Sequence, residues 1–394
     1  MTENALLPVQ AFQSETHSRD TALSYAREGI KYAGSKLKLL EAILAITEKI
    51  ERNTVLDMFS GTTRVGRLFF GLGSQVHSND ISYWSQCFGK AYFYNQHNQD
   101  YYEGLIEHLN NIKPVHGWFT ENYGGADNSG SAVQANGKKA LWQLHNTELL
   151  DGIRTEIDKL NLDEVSKAVA LTSLIYALDS VDSTLGHFAA YLKHWSPRSY
   201  KTMNLKVPHV RPTTREHFVS RMDANDLANQ LANAGKIYDL AYLDPPYGSN
   251  NEKMPPSRVR YASYYHIWTT IIRNDQPDLF GAAGRRVDSR DLMSASQYEE
   301  FRRNDNGTFI ALEALKHLIQ TVPARHVLLS YSSGGRATFE QLSEILSQTG
   351  DIVKVMKIDY KKNVMATMRW TNEWTPAEEK KNFEYLFLVK KPVV

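Results

Sequence analysis

Apolar residues recur with two different spacings in the first part of this chain. An apolar run at 54–59 is typical of a buried strand, a second short strand is predicted at 75–78, and polar turn residues follow each of them. The intervening segment 63–72 has the spacing of a helix, as does the segment 35–52 that precedes the first strand. A strand, a helix and a second strand in this order predict the opening of a doubly wound α/β sheet.

The second half of the chain returns to the same alternation of strands and helices. Strands are predicted at 237–243, 326–331 and 383–389, and helices at 261–273, 308–321 and 336–349. A polar loop is predicted at 248–260, directly after the first of these strands. Because strands cluster toward both ends of the chain, we expect one α/β core that is assembled from both ends.

A long segment between these two groups of strands is mainly helical. Helical spacing runs through 84–110 and 138–182, and the Gly-, Asn- and Ser-rich stretch 117–137 is predicted to be an exposed loop. Residues 1–25 have no clear periodicity and are expected to be a loosely ordered lead-in. The predicted divisions are therefore a first core part at 1–84, an inserted domain at 85–220 and a second core part at 221–394.

Composition places the chain among ordinary globular proteins. Its 394 residues are 42% hydrophobic and 23% charged, which is enough to build a large core. No apolar stretch approaches the roughly 18 residues needed to cross a membrane, and the polar N-terminus does not resemble a signal peptide. The single cysteine, Cys87, excludes a disulfide framework and a multi-cysteine zinc site, so no metal is expected. These features predict a cytoplasmic protein.

Net charge is close to zero, but basic residues are concentrated in one place. The chain has 45 Lys and Arg against 44 Asp and Glu, so any nucleic-acid binding must depend on a local patch. Residues 193–221 contain a single acid, Glu216, and this imbalance favours contact with phosphates over a simple solvated surface. The basic residues proposed for this contact are Lys193, Arg198, Lys201, Arg211 and Arg215.

The tetrapeptide Asp244-Pro245-Pro246-Tyr247 follows the predicted strand 237–243 directly. A carboxylate can accept a hydrogen bond from an amine, the two prolines stiffen the backbone, and Tyr247 offers a ring on which a base can stack. At the carboxyl end of a strand these groups suit an enzyme that holds a planar amine and alkylates its nitrogen. Taken alone, the tetrapeptide could also be a proline-rich turn with Asp244 as the turn former.

Two further features lie at the ends of the first two strands. Asp57, Phe59, Ser60 and Gly61 form a turn that matches neither the dinucleotide fingerprint nor a phosphate-binding loop. The turn suits an amino acid that carries a nucleoside, because Phe59 can flank an adenine and Asp57 can meet an ammonium group. Asp80, at the end of the second strand, is placed to bind ribose hydroxyls. An ordinary turn and a helix N-cap are the respective alternatives.

Two other motifs are ambiguous when each is read alone. The first, Tyr32-Ala33-Gly34-Ser35-Lys36, is compatible with a glycine turn that leads into a helix. The second, Asp226, could accept a hydrogen bond from an adenine amino group or lie in an exposed turn.

In combination, these motifs resemble those of the Dam-like, α-group adenine-N6 DNA methyltransferases. The segment 31–36 resembles the family's N-terminal cofactor motif, Asp57 to Gly61 its cofactor turn, and Asp244 to Tyr247 its catalytic motif. Ser330-Tyr331 is similar to a later Ser-Tyr motif of the same family. The long insertion before the catalytic motif also matches the order of motifs in the α group.

The resemblance implies a Rossmann-like methyltransferase sheet with an inserted, mainly helical target-recognition domain. It implies S-adenosylmethionine as cofactor and catalysis by Asp244, Pro245, Pro246 and Tyr247 on an adenine flipped out of duplex DNA. The cofactor-binding residues that it implies are Tyr32, Ala33, Gly34, Lys36, Asp57, Phe59, Ser60, Gly61, Asp80, Asp226 and Asp244. Lys253, Arg258 and Arg260 are expected to touch DNA phosphates from the loop 248–260.

Several alternatives remain open on the sequence alone. The acceptor could be cytosine N4 in DNA or adenine N6 in RNA, although Asp244 and the long insertion disfavour these. The chain could also be a non-catalytic DNA-binding protein on the same scaffold, which the intact motif at 244–247 argues against. A restriction endonuclease is an expected partner if the chain belongs to a restriction-modification system, and a nucleoid-associated bacterial or phage location would follow.

Overall fold

The computed structural model describes residues 18–248, 261–290, 296–360 and 382–392. The helices are α1 (Arg19–Arg27), α2 (Leu40–Ile46), α3 (Arg64–Gly71), α4 (Tyr83–Phe93), α5 (Asp100–Asn110), α6 (Trp118–Tyr123), α7 (Leu144–Lys159), α8 (Glu164–Val181), α9 (Ala224–Asn233), α10 (Tyr261–Tyr264), α11 (His266–Arg273), α12 (Ile310–Thr321) and α13 (Phe339–Thr349). The strands are β1 (Thr54–Asp57), β2 (Gln75–Asn79), β3 (Gly124–Gly125), β4 (Trp142–Gln143), β5 (Phe218–Ser220), β6 (Tyr238–Leu243), β7 (Leu279–Phe280), β8 (Arg285–Arg286), β9 (Ala324–Ser332), β10 (Asp351–Tyr360) and β11 (Asn382–Lys390). Short 3-10 helices lie at Lys36–Lys38, Pro197–Tyr200, Val287–Ser289 and Gln297–Glu299.

Seven strands form one large sheet in the order β10-β11-β9-β6-β1-β2-β5. The five strands from β9 to β5 are parallel to one another, and β11 runs antiparallel to both of its neighbours. All six residues of β6 are buried, as expected for a central parallel strand that is covered on both faces. The predicted α/β core with a mostly parallel sheet, assembled from both ends of the chain, is therefore confirmed.

The chain reverses its direction of progress across the sheet between β1 and β6. After β1 it moves outward to β2 and β5, and it then returns to β6 and continues to β9 on the other side. In open α/β sheets, such a switch point leaves a crevice outside the carboxyl ends of the strands, where ligands bind. The motifs at 57–61, 80 and 244–247 all follow strands that end at this crevice.

The lead-in predicted at 1–25 is wrong from Arg19 onward. Helix α1 begins after Ser18, whose hydroxyl caps it by accepting the backbone N–H of Thr21. The helix buries Ala22, Leu23, Tyr25 and Ala26 in the main core. A nine-residue helix with so polar a composition gives little periodicity, and its stability comes from packing against α3.

The exposed loop predicted at 117–137 is wrong at its start. Helix α6 buries Phe119 and Tyr123, and the Asp151 carboxylate of α7 accepts hydrogen bonds from the backbone N–H groups of Phe119 and Thr120 at 2.9 and 2.8 Å. Strand β10 was not predicted, because at the sheet edge its side chains are largely exposed and its apolar pattern is irregular.

The mainly helical segment shares most of its core with the sheet, apart from a small cluster of Ala132, Ala140 and Trp195. Apolar residues of α4, α5, α7 and α8 belong to one continuous cluster that also contains Leu240 and Leu328 of the sheet. The predicted boundary at 85 falls inside α4, which packs on β2 and β5. No helix in the described ranges is long and apolar enough to cross a membrane.

Candidate active site

A cavity of about 470 Å³ lies at the carboxyl ends of β1, β2 and β6. Its walls come from both parts of the α/β core, from α11 and from the segments 286–289 and 296–299. The predicted site residues that line it are Tyr32, Gly34, Lys36, Phe59, Asp80, Asp244, Pro246 and Tyr247. The fold therefore brings together groups that are more than 200 positions apart in the sequence.

A buried cluster of charges surrounds Asp244. The ammonium group of Lys36 lies 3.0 Å from Oδ1 of Asp244 and 2.8 Å from Oε1 of Glu384 on β11. The hydroxyl of Tyr247 contacts the same lysine and both carboxylates, and Ser330 donates a hydrogen bond to Glu384 at 2.8 Å. One cation is thus shared between two carboxylates.

The pKa values in this cluster follow from burial and from the shared charge. Burial raises the pKa of Asp244 to about 6, because the opposing effect of Lys36 is incomplete and Glu384 adds a second negative charge. Burial by itself would lower the pKa of Lys36, but the two carboxylates outweigh it and raise that pKa. Asp244 is therefore an ionised acceptor at neutral pH, and Lys36 stays cationic.

The ring of Tyr247 is fixed at several points. Its hydroxyl is held in the charged cluster, and its centroid lies 4.9 Å from that of Tyr331. The backbone carbonyl of Tyr247 accepts hydrogen bonds from the N–H of Arg336 at 3.0 Å and the hydroxyl of Tyr331 at 3.3 Å. Since Tyr247 and Pro246 both line the cavity, they present a rigid surface to whatever enters it.

The turn after β1 is tied to the acid at the end of β2. The backbone N–H of Gly61 donates to Oδ2 of Asp80 at 2.9 Å, and Oδ1 of Asp80 accepts the N–H of Ser82 at 2.9 Å. Gly61 has a φ of 48°, and a Cβ there would lie 3.3 Å from the Tyr32 ring. Glycine therefore suits both the left-handed backbone and the close approach of Tyr32.

Asp57 and Ser60 lie behind this turn and are not among the residues that line the cavity. Oδ2 of Asp57 accepts the N–H of Gly66 in α3 at 2.9 Å, while Oδ1 is buried with no hydrogen-bond partner in the described part of the chain. Burial raises the pKa of Asp57 to about 8. A buried carboxyl with an orphaned oxygen fits a site for an ammonium group, since a cationic partner would offset the cost of burying the carboxylate charge.

The two acids near the start of α9 have different environments. Asp226 is exposed and is not among the residues that line the cavity. Asp223 lines the cavity and caps α9, accepting the N–H of Asn225 at 2.8 Å and the side-chain amide of Gln297 at 3.0 Å. The cap explains the difference, because the residue at the N-cap faces the strand ends while a residue three positions later lies on the helix surface.

An apolar slot adjoins Asp223. It is formed by Met58, Phe59, Ile81 and Met222, and the ring of Tyr298 meets Phe59 edge-to-face at 5.0 Å. A flat apolar slot that is flanked by the carboxylates Asp80 and Asp223 fits a purine nucleoside. Together with the orphaned oxygen of Asp57, these residues match the chemical groups of S-adenosylmethionine.

Aromatic rings pack around the 32–36 segment. The centroid of Tyr32 lies 5.4 Å from Trp84, 5.6 Å from Tyr261 and 4.8 Å from Tyr265. Ala33 does not line the cavity, but its N–H donates to the hydroxyl of Tyr265 at 2.6 Å. Tyr265 is a packing residue, as its helical spacing suggests, whereas Tyr261 lines the cavity.

The predicted basic patch is divided by the fold. Arg198 forms an ion pair with the buried carboxylate of Asp182 and donates to the carbonyl of Thr184 at 2.9 Å, so much of its charge is used internally. Lys193 and Lys201 are exposed on the same segment.

Arg211 and Arg215 lie toward the amino ends of the parallel strands, on the side of the sheet opposite the cavity. The guanidinium of Arg215 donates to the carbonyl of Gly73, which precedes β2, and Arg211 lies 4.8 Å from the ring centroid of Tyr25. Tyr25 in turn stacks on Phe70, near the end of α3 that is remote from the cavity. A five-residue strand is roughly 16 Å long, so the cavity and Arg215 are separated by about that distance. Lys253, Arg258 and Arg260 lie outside the described residues.

Three other arginines line the cavity: Arg221, the last basic residue of the 193–221 patch, and Arg273 and Arg286, which the sequence did not single out. The guanidinium carbon of Arg221 lies 4.0 Å, and that of Arg273 5.2 Å, from the ring centroid of Tyr83. Glu384 was also missed, although a carboxylate within the otherwise apolar strand 383–389 was a visible signal. Asp223 could have been found as a potential N-cap, because it lies directly before α9.

Comparison with known proteins finds one family model and several relatives. A family model for D12 class N6 adenine-specific DNA methyltransferases matches residues 32–328. The chain is 28% identical over 386 residues to the type II methyltransferase M.FokI of Planomicrobium okeanokoites, covering 92% of this chain and 53% of that protein. It is 27% identical over 382 residues to the modification methylase StsI of Streptococcus sanguinis, covering 92% of this chain and 52% of that protein.

A third relative has a similar length to this chain. The type II methyltransferase M.NlaIII of Neisseria lactamica is 25% identical over 371 residues, which cover 92% of this chain and 99% of that protein. The chain therefore spans about half the length of the FokI and StsI methylases and almost all of the NlaIII methyltransferase.

Proposed function

Because the chain belongs to the D12 class N6 adenine-specific DNA methyltransferases, we propose that it transfers a methyl group from S-adenosylmethionine to N6 of adenine in DNA. The observation that carries the proposal is the buried cluster of Asp244, Lys36 and Tyr247 at the wall of the cavity. It offers an ionised acceptor and a fixed aromatic ring at one point.

We assign the cofactor to the part of the cavity between Phe59 and the two carboxylates. Asp80 would hold the ribose hydroxyls, and Asp223 would accept a hydrogen bond from the adenine amino group in place of Asp226. The ammonium group of the cofactor would be directed toward the orphaned oxygen of Asp57. When bound, S-adenosylmethionine supplies a methyl group that is already activated by its positive sulfur.

The protein's own contribution is positioning and the handling of charge. Asp244, about nine-tenths ionised at pH 7 for a pKa of about 6, accepts a hydrogen bond from the target amine and stabilises positive charge that develops on its nitrogen. The ring of Tyr247 stacks on the flipped base and offsets part of the few kcal/mol spent on unstacking it. The proton on nitrogen leaves after transfer, so Asp244 does not need to be a strong base.

The finer features of the family resemblance belong to the same proposal. We place this chain in the Dam-like α group, with 85–220 as the target-recognition insertion on duplex DNA. Lys193 and Lys201 remain candidates for phosphate contacts there, and Arg221 and Arg273 join them at the cavity. The modification methylases among its relatives support a role beside a restriction endonuclease.

Methyl transfer to mixed-sequence duplex DNA tests the proposal. Purified protein is incubated with isotopically labelled S-adenosylmethionine, and the DNA is digested to nucleosides for mass analysis. Labelled N6-methyladenine is the expected product, and N4-methylcytosine or transfer to RNA alone would contradict the assigned acceptor. Asp244→Ala serves as the control, which should lose transfer while it still binds the cofactor.

A further inference from the structure

Glu384 is a buried carboxylate to which neither the sequence motifs nor the proposed mechanism gives a role. It lies on the antiparallel strand β11 between apolar neighbours and is only 5% exposed. Three donor groups converge on its Oε1: the ammonium of Lys36 at 2.8 Å, the hydroxyl of Ser330 at 2.8 Å and the hydroxyl of Tyr247. A carboxylate is costly to bury, so this degree of compensation marks a specific arrangement.

The contacts of Glu384 lead directly to Asp244. Lys36 bridges the two carboxylates, and the Tyr247 hydroxyl touches both of them. These contacts to Asp244 all fall on Oδ1, which leaves Oδ2 as the oxygen available to the target amine within the described part of the chain. Glu384 itself is not among the residues that line the cavity, so it acts only through its neighbours.

We propose that Glu384 is a positioning residue of the methyl-transfer centre, which holds Lys36 and the Tyr247 hydroxyl so that Asp244 keeps one oxygen free for the target amine. This inference rests on the proposed function and adds a residue to it. Without Glu384, Lys36 and Tyr247 would be drawn to Asp244 alone, and both would compete with the amine for that carboxylate.

The proposal has an electrostatic signature, because Glu384 is a negative charge close to Asp244. That charge raises the pKa of Asp244, in addition to the larger effect of burial, and Lys36 opposes both. Removing the charge should lower the pKa of Asp244. The other titratable groups that influence or are influenced by Asp244 in the described residues are Tyr32, Asp57, Tyr242, Tyr247 and Tyr261.

The decisive variant is Glu384→Gln, which keeps the shape of the side chain and removes its charge. The carboxyl carbon of Asp244 is titrated by ¹³C NMR in unliganded protein labelled on aspartate, with Asp244→Asn to assign the signal. We expect the midpoint of Asp244 to fall by about one pH unit. This measurement needs no activity, so its outcome is independent of whether the wild type methylates DNA.

The second readout is the single-turnover rate of methyl transfer, measured against pH on a DNA fragment that the wild type methylates. The acid limb of the profile should move down with the Asp244 midpoint, and the plateau rate should fall about tenfold while cofactor affinity changes less than twofold. An unchanged midpoint together with an unchanged plateau rate would overturn the proposal and leave Glu384 a packing residue. Absence of transfer by the wild type would instead count against the proposed function.

Two further variants control for folding and for charge. Glu164→Gln makes the same change at an exposed ion pair with Lys90 and should leave both readouts as in the wild type. Glu384→Asp keeps the charge but withdraws it by one methylene, so the Asp244 midpoint should stay near the wild-type value while the plateau rate falls. If Glu384→Gln does not fold, Glu384→Asp decides, and a wild-type plateau rate in that variant would refute the positioning role.

Discussion

Replacing Lys36 by methionine removes the cation that Asp244 and Glu384 share. Methionine keeps much of the buried stem of Lys36, whose side chain is only 7% exposed, so the change is mainly one of charge. It leaves two carboxylates, which lay 3.0 and 2.8 Å from the same nitrogen, without that cation in a buried site. Breaking a buried ion pair by removal of one partner typically costs about 3–5 kcal/mol.

The size of the effect can be converted into a melting temperature. A protein of this length unfolds with an entropy of roughly 0.8 kcal/mol/K, so the loss corresponds to a decrease of about 4–6 °C in Tm. Differential scanning fluorimetry at pH 7.5 without cofactor measures it directly. Lys90→Met is the matched control, because Lys90 pairs with Glu164, which is 63% exposed, and an exposed pair is worth less than about 1 kcal/mol.

The dependence of this loss on pH separates charge from packing. In Lys36→Met we expect the pKa of Asp244 to rise further above its unfolded value, so the folded state binds more protons than the unfolded state. A carboxyl with a raised pKa favours the folded state at low pH, and this contribution to stability is lost as the pH rises through the folded pKa. In the wild type the pKa of Asp244 is already about 6. The deficit should therefore shrink between pH 7.5 and 5. A deficit below about 1 °C, or one independent of pH, would refute the reasoning.

Three other changes test separate parts of the structure. Asp223→Ala should weaken the binding of S-adenosylmethionine, measured by calorimetry, at least tenfold, whereas Asp226→Ala should change it less than twofold. A larger loss of affinity in Asp226→Ala than in Asp223→Ala would restore Asp226 to the site. Arg221→Ala should weaken binding to duplex DNA about fivefold, as expected for one lost phosphate contact of roughly 1 kcal/mol. Arg215→Ala, on the side of the sheet remote from the cavity, should leave DNA binding unchanged. Fluorescence anisotropy at fixed salt measures both. Asp151→Asn should destabilise the fold by about 2–3 kcal/mol in urea unfolding, because an amide group would face backbone donors; a loss under about 0.5 kcal/mol would contradict this.

The elements that could be predicted from the sequence are those with a clear local apolar pattern, either an apolar run or helical spacing. Strand β6 is apolar at every position except Asp239, and the motif Asp244 to Tyr247 follows it without a gap, so the strand and the motif are visible together. Helix α1 and strand β10 gave no such signal. Their stability depends on neighbours that are distant in the chain, and a local pattern does not contain those neighbours.

The candidate site shows the same limit at the level of single residues. Asp223 and Asp226 are both acids near the start of one helix, and only the exact position of the N-cap determines which of them faces the cavity. The pairing of Lys36 with Glu384 joins positions 348 residues apart, so no local spacing could predict it. Sequence motifs predict a type of chemistry, but the partners that control its charges depend on the fold.

Arg198 illustrates why a basic patch in a sequence overstates the charge available to DNA. Its guanidinium and the ammonium of Lys31 both bind Oδ1 of Asp182, a fully buried carboxylate at the end of α8. Since Lys31 directly precedes Tyr32 at the cavity wall, this triad ties the segment 182–198 to that wall. Loss of Arg198 would therefore disturb the cavity as well as any DNA contact, and weaker DNA binding by such a variant would not by itself identify a phosphate ligand. Lys193 and Lys201 are exposed on the same segment and give the cleaner test of whether it binds DNA.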